Sequence, residues 1–343
     1  MPEAQAVGGV STTTAAMFDI IEGFWFSRAV YIAAKLGLAD LVAERARTAD
    51  ELAVATQSCA KSLYRILRAL ASRGIFTEDP SGRFSMTPLA APLRTEVPGS
   101  LRALLTTELG EEHYPAWGNL LHTVKTGETA FDYTFRMSPW EFFAHNPENA
   151  RIFDRAMTNV NGVVNAAVLR AYDFSKIKLI VDVAGGQGSL MAAILKANPS
   201  LRGIVLDMPH VTETTKRLIE AEGLSGRCEV LGGDFFESVP AGGDTYIMKW
   251  IIHDWNDERS IAILKNCRRA VVPGGKLLLV EAVLPPANQR AFSKFMDLNM
   301  LVMTGGRERK ESEYKALFEA AGFRLTGVIS TESEFNLIEG APV

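Results

Sequence analysis

The sequence predicts an α/β protein: a Rossmann-like, doubly wound, mostly parallel sheet fills its C-terminal half, behind a mostly helical N-terminal domain of winged-helix type. Three observations carry that prediction. Apolar residues recur at helical spacing up to about residue 175. Helix, helix and hairpin follow one another between Thr48 and Met86. From residue 178, short apolar strands alternate with helical stretches, the signature of a sheet with helices on both faces.

With 343 residues the chain exceeds what one hydrophobic core organises, so two domains, or one with a large helical extension, are expected. Hydrophobic residues at 47% and charged residues at 22% describe a soluble globular composition. The 36 basic and 40 acidic residues leave a formal charge of -4 without a long run of one sign. That argues against nucleic acid or an anionic membrane as partner and favours a small molecule. Cys59, Cys228 and Cys267 are odd in number and far apart, so neither a disulfide framework nor a thiolate metal cluster is expected, and a reducing cytoplasm is the natural compartment. Met1 to Ala16 lacks the basic start and apolar core of a secretory leader, and no apolar run reaches the roughly 18 residues of a membrane span.

Met17 to Val42 reads as a helix whose Phe18, Ile21, Trp25, Ala29, Ile32 and Leu36 would bury one broad stripe. Thr48-Ala-Asp-Glu51 is a capping box that opens a short helix. Lys61 to Ser72 forms a second, ended by Gly74; Ile75-Phe-Thr and Arg83-Phe-Ser-Met then pair as two short strands around a turn-rich loop. The wing carries Glu78 and Asp79 and no basic stripe, so packing and dimerisation suit this module better than DNA. Residues 101 to 172 read as helical, with Pro147 and Glu148 opening a helix through Met157. The later strands are Leu179 to Val183, Gly203 to Leu206, Cys228 to Leu231, Thr245 to Met248 and Lys276 to Glu281; Ser312 to Ala321 and Gly322-Phe-Arg-Leu-Thr add a last helix and strand.

Open parallel sheets bind ligands at the carboxyl ends of their strands, so polar residues there are the candidates. After Asp182 the chain turns through Ala184-Gly185-Gly186-Gln187-Gly188, where glycines let a ligand approach the backbone. The dinucleotide pattern is incomplete, because Met191 stands at the third glycine position counted from Gly186, and no Walker Gly-Lys-Ser/Thr is present after it. Asp207 ends the second strand about 20 residues later, where an acid can accept from both ribose hydroxyls. Asp234 and Phe235 come after the third strand; they suit an adenine amino group and face, and Asp234 equally suits a turn. Of five histidines only His253 directly follows a strand end on this rim, and Glu281 ends the neighbouring strand, where an unpaired buried carboxylate would be costly. Glu308 lies in Gly305-Gly-Arg-Glu308-Arg309, which also reads as a solvated charged turn.

With these residues in view, the segment from Asp182 to Arg309 resembles the plant-type small-molecule O-methyltransferases, a family that includes caffeate, flavonoid and acetylserotonin methyltransferases and bacterial relatives of natural-product pathways. The resemblance covers most of the chain and implies an S-adenosyl-L-methionine (SAM) cofactor, left as S-adenosyl-L-homocysteine, with no metal. It implies that Asp182, Gly185, Gly186 and Gly188 hold the methionine part, with Ala184 in place of the usual first glycine. Asp207 and Met208 match the ribose motif, Gly233, Asp234 and Phe235 the adenine motif, and Lys249 the residue closing the cofactor site; Trp255 ends the signature Lys249-Trp-Ile-Ile-His253-Asp-Trp255. His253 would be the general base, with Glu281 and Glu308 flanking it. Either acid could bond the far ring nitrogen.

The expected reaction is methyl transfer to a hydroxyl, on a small aromatic acceptor. Phe153, Met157, Trp250, Met300 and Met303 are candidates for its pocket, ordinary core packing being the competing account of each. The domains expected are 1–100 for dimerisation, 101–172 as a helical connection contributing to the pocket, and 173–343 for the SAM-binding sheet. A homodimer is expected from Phe18, Ile21, Phe24, Trp25 and Phe26 together with the resemblance. N- or C-methylation, a drifted decarboxylase or hydroxylase, a SAM-sensing regulator and an NAD dehydrogenase are the rival functions.

Overall fold

In the computed structural model, which describes residues 12–343, the helical stripe at the N-terminus is buried only in its second half. The helix runs Thr12–Lys35 and a left-handed Gly37 (φ 65°) separates it from a short helix, Leu38–Leu41, so the continuous helix expected to Val42 is two. Ala29, Val30, Ala33 and Ala34 are buried, whereas Phe18, Ile21 and Trp25 are 56%, 47% and 63% exposed. The stripe is therefore open over its first turns, where no described element of the same chain buries Phe18, Ile21 or Trp25. Most of the segment Met1 to Ala16, expected to carry no secretory leader, lies outside the described residues.

Two compact units divide the chain: the described residues up to Tyr114 with Asn146–Asn159, and Pro115–His145 with Val160–Val343. The stretch from 101 to 172 is shared between them, and the helix Pro147–Ala171 belongs to the first by its beginning and to the second by its end.

In the first unit, Thr48 caps the helix Ala49–Thr56 in a complete capping box with Glu51. The helix Ala60–Ser72 turns Leu63, Leu67 and Leu70 inward onto Leu38, Leu52 and Phe84. Strands β1 (Arg47–Thr48), β2 (Phe76–Glu78) and β3 (Arg83–Met86) make a small antiparallel sheet in the order β1-β3-β2. Two of these were expected; β1 is too short for a periodicity to reveal.

The second unit holds seven strands: β4 (Leu179–Val183), β5 (Arg202–Asp207), β6 (Cys228–Gly232), β7 (Thr245–Lys249), β8 (Lys276–Glu281), β9 (Phe323–Ser330) and β10 (Asn336–Pro342), ordered β6-β5-β4-β7-β8-β10-β9. β4 to β8 are parallel, and β10 enters antiparallel between β8 and β9. Along β8, Leu278 and Val280 face one core and Leu277 and Leu279 the other, which explains why the strand reads as unbroken hydrophobicity. The order reverses between β4 and β7, and such a switch point opens a crevice at the strand ends. β10 and the helix Ser293–Met303 were not expected; β10 carries Glu339, Gly340 and Pro342 and lacks a clean alternation. Among the described residues no helix is long and apolar enough to cross a membrane.

Candidate active site

The carboxyl ends of β4, β5, β7 and β8 carry the polar residues picked from sequence, and they form two groups. At the first, Asp182 is buried at the end of β4 and the chain passes through Ala184 (φ 57°), Gly186 (φ 56°) and Gly188 (φ 80°) into the helix Ser189–Ala197. A Cβ on Gly185 would stand 2.7 Å from the Asp182 carboxyl, so only glycine fits there. Ala184 adopts a left-handed conformation despite its side chain, a local cost.

Asp207 ties this loop to β5: its Oδ2 accepts from the Gly186 amide at 2.7 Å and its Oδ1 from the Met208 amide at 2.7 Å. The Met208 side chain is exposed. After β6, the Gly233 amide donates to the Asp207 carbonyl at 3.0 Å, and Asp234 Oδ1 accepts from the Phe236 amide at 2.8 Å, the turn role weighed for it from sequence. Phe235 and Phe236 meet Trp255 edge-on at 6.2 and 4.9 Å, and the Arg259 guanidinium lies 4.4 Å over Phe236.

Lys249, at the end of β7, donates to Asn161 Oδ1 at 2.6 Å and Asn165 Oδ1 at 2.7 Å. Burial presses its ammonium toward the neutral form, against the pull of Asp182; burial likewise raises the Asp182 carboxyl, against the pull of Lys249 and with the push of Asp207. The two asparagines, from the helix Pro147–Ala171, were invisible to sequence reading because their distance along the chain hides that they face β7.

The second group surrounds His253. Trp250 leaves β7 with φ 58°, a strained value for a bulky residue. Its amide donates to Val280 at 3.1 Å, and the amides of Ile251 and Ile252 both donate to Glu281 Oε1 at 3.0 and 2.8 Å, which holds the turn open. His253 comes next in that turn, buried, with Nδ1 at 2.9 Å from Glu308 Oε1 and 3.5 Å from Glu281 Oε2. Glu308 is therefore the hydrogen-bond partner, and Glu281 mainly contributes charge and holds the backbone. Both acids are buried, so the exposed-turn reading of Glu308 does not hold. The Glu308 amide donates to Asp297 Oδ1 at 2.9 Å. Asp254 lies 3.9 Å from the other imidazole nitrogen, beyond hydrogen-bond reach.

Burial alone would favour neutral imidazole. The charge of Glu281, the hydrogen bond to Glu308 and the charges of Asp254 and Glu308 outweigh it and lift His253 to about 10. Burial pushes Asp254 up to about 6 and raises Glu281 as well, although the His253 charge opposes both.

The model of the O-methyltransferase domain matches residues 117–324, and that of the O-methyltransferase dimerisation domain matches residues 18–96. The chain belongs to the plant-type family of SAM-dependent O- and N-methyltransferases. It is 46% identical to phenazine O-methyltransferase PhzM of Lysobacter antibioticus over 100% of both chains. It is 30% identical to phenazine-1-carboxylate N-methyltransferase of Pseudomonas aeruginosa over 95% of this chain and 96% of that one. Among solved structures, LaPhzM matches with a TM-score of 0.93 at 45% identity, covering 97% of this chain and 100% of that one. NcsB1, an O-methyltransferase of neocarzinostatin biosynthesis solved with S-adenosylmethionine and 2-hydroxy-5-methyl naphthoic acid, matches at 0.83 and 33% identity over 92% and 96%.

The methyltransferase has a loop suited to such a cofactor: glycine where backbone must come close, an acid held by two amides at the β5 end, and a buried Asp182 oxygen without a partner in the protein. The candidate acceptor residues are distributed over both units. Phe153 and Met157 belong to the first unit, and Trp250, Met300 and Met303 to the second. Trp250 packs on Phe335 with ring centres 4.9 Å apart, and Met303 on Phe131 and Ala130, so core packing accounts for both.

Proposed function

We propose that this methyltransferase moves the methyl group of SAM onto a phenolic hydroxyl of a small polycyclic aromatic acceptor, with His253 as general base. The observation that supports it is the buried His253–Glu308 hydrogen bond beside a second buried acid: a methyl transfer to an amine has less need of such a base. The relatives named for phenazines and the naphthoic acid held by NcsB1 support a flat acceptor of two or three rings.

SAM supplies an electrophilic methyl on sulfur. In this reading Asp207 takes the ribose hydroxyls, Asp234 and Phe235 the adenine, with Met208 and Trp255 against it, and the loop Asp182 to Gly188 with Gly233 and Lys249 the rest. Glu308 accepts from Nδ1, which leaves Nε2 as the nitrogen that takes the phenol proton. A phenol near 10 and an imidazole raised to about 10 are matched for that transfer, although only a small fraction of the imidazole is unprotonated at neutral pH. Holding the acceptor oxygen in line with the methyl supplies most of the remaining acceleration.

The working unit proposed is a cytoplasmic homodimer: 1–100 for dimerisation, 101–172 contributing to the acceptor pocket, and 173–343 for the cofactor. The exposed Phe18, Ile21, Phe24 and Trp25 support it, and light scattering of a Trp25→Glu variant should show monomer. The deciding experiment supplies labelled SAM with hydroxyphenazines, hydroxynaphthoates and their amino analogues and tracks product by mass spectrometry. O-methylated product supports the proposal; methylation of amines alone overturns it.

A further inference from the structure

Arg309 is the largest wholly buried side chain among the described residues. A buried guanidinium needs acceptors for its N–H groups, and where it finds them shows what it holds. Nε and Nη2 donate to Asp257 Oδ1 at 3.0 and 2.8 Å. Nη2 also reaches the Trp255 carbonyl at 2.8 Å and Ser260 Oγ at 3.3 Å, and Nη1 the carbonyls of Ile252 at 3.0 Å and Arg307 at 3.3 Å. Ile252 and Trp255 bracket the turn that carries His253, and Arg309 itself is the chain neighbour of Glu308.

Two further struts join the same segments. The His253 carbonyl accepts from the Arg307 amide at 2.8 Å, and a Cβ on Gly306 would stand 1.9 Å from that carbonyl. The backbone of Arg309 pairs with Val283 and accepts from the Leu284 amide at 2.9 Å, two and three residues beyond Glu281.

We propose that Arg309 is a positioning residue: its guanidinium fixes the turn carrying His253 against the loop carrying Glu308 and so sets the Nδ1–Oε1 hydrogen bond between them. Its catalytic meaning rests on the function proposed for the site. Lysine cannot replace it, because one ammonium cannot reach both carbonyls and the Asp257 carboxylate, which the planar fork does at once.

The test uses the full-length protein with nitrogen-labelled histidine. The Nδ1 proton of His253, bonded to Glu308, should give a downfield NMR signal, and the groups facing the ring are Glu281, Glu308 and Asp254, with Arg309 behind them. In Arg309→Lys that signal should broaden or move upfield, the titration of His253 should shift toward that of an ordinary histidine, and kcat on a hydroxyphenazine should fall roughly 10- to 100-fold with KM for SAM within about twofold, as for other supports of a functional group. Guanidinium added to Arg309→Ala should restore the signal in part. A folded variant whose His253 signal and titration match the unsubstituted protein overturns the proposal, whatever its activity. If both Arg309 variants fail to fold, Asp257→Ala decides: Asp257 is exposed on its other side, loss of its carboxylate should move the signal in the same direction by less, and an unmoved signal overturns the proposal. The signal requires no acceptor. A protein that shows the coupled His253 signal but methylates no phenol therefore overturns the proposed reaction and leaves the positioning role standing.

Discussion

At the ends of β4 and β7, Asp182 is buried and Lys249 half-buried, and two asparagine oxygens accept from the ammonium; at the ends of β7 and β8, His253 is buried against two acids. Burial has opposite results in the two places. Around Lys249 desolvation dominates, so the ammonium is lowered and Asp182 raised, both toward neutrality. Around His253 the carboxylates outweigh desolvation and raise the imidazole. One strand thus supplies, four residues apart, a cation made easier to discharge and a base made stronger. The lesson is that burial by itself does not give the sign of a shift; the count of carboxylates within reach does.

The most severe break in this comparison is His253→Ala. Methylation should fall by about 10²–10⁴, the usual contribution of a general base, while calorimetry still shows SAM binding. A rate like that of the unsubstituted protein would remove the base from the mechanism. Next comes Asp207→Ala, which deletes the acid that holds the Gly186 amide. SAM affinity should weaken about 10- to 100-fold, in line with loss of charge-assisted hydrogen bonds, and an unchanged Kd would exclude its ribose role.

The pH profile sharpens the comparison. His253 can accept a proton only when unprotonated, and its raised value means kcat should climb with pH through the neutral range toward about 10. Glu308→Gln removes one charge and turns the charge-assisted hydrogen bond into a weaker neutral one, so the acidic limb should move to lower pH; a limb that stays or moves up would show that Glu308 does not raise the histidine. Thr48→Ala should do least. Loss of the capping box costs about 1 kcal/mol, a few degrees of Tm, and because Thr48 lies in the first unit kcat should not change.

Much of this was legible in the sequence. Strands with both faces buried read as apolar runs, and the residues just past their carboxyl ends had to be loop, so the sequence places Asp182, Asp207, His253 and Glu281 on one rim. Glu308 was ambiguous, since a charged residue between Gly-Gly and basic neighbours looks solvated. Its burial comes from Arg307 and Gly306 docking on the His253 carbonyl. Arg309 gives no sequence signal of burial for the same reason.

The sequence by itself determined the order of elements, the rim and the residue types on it, because periodicity and turn chemistry are local. Tertiary structure alone decided that Glu308 rather than Glu281 bonds His253, that Asn161 and Asn165 hold Lys249, and that the first turns of the N-terminal helix stay exposed among the described residues. Each of these depends on groups tens of residues apart meeting within about 3 Å or failing to meet, and spacing along the chain carries no record of that.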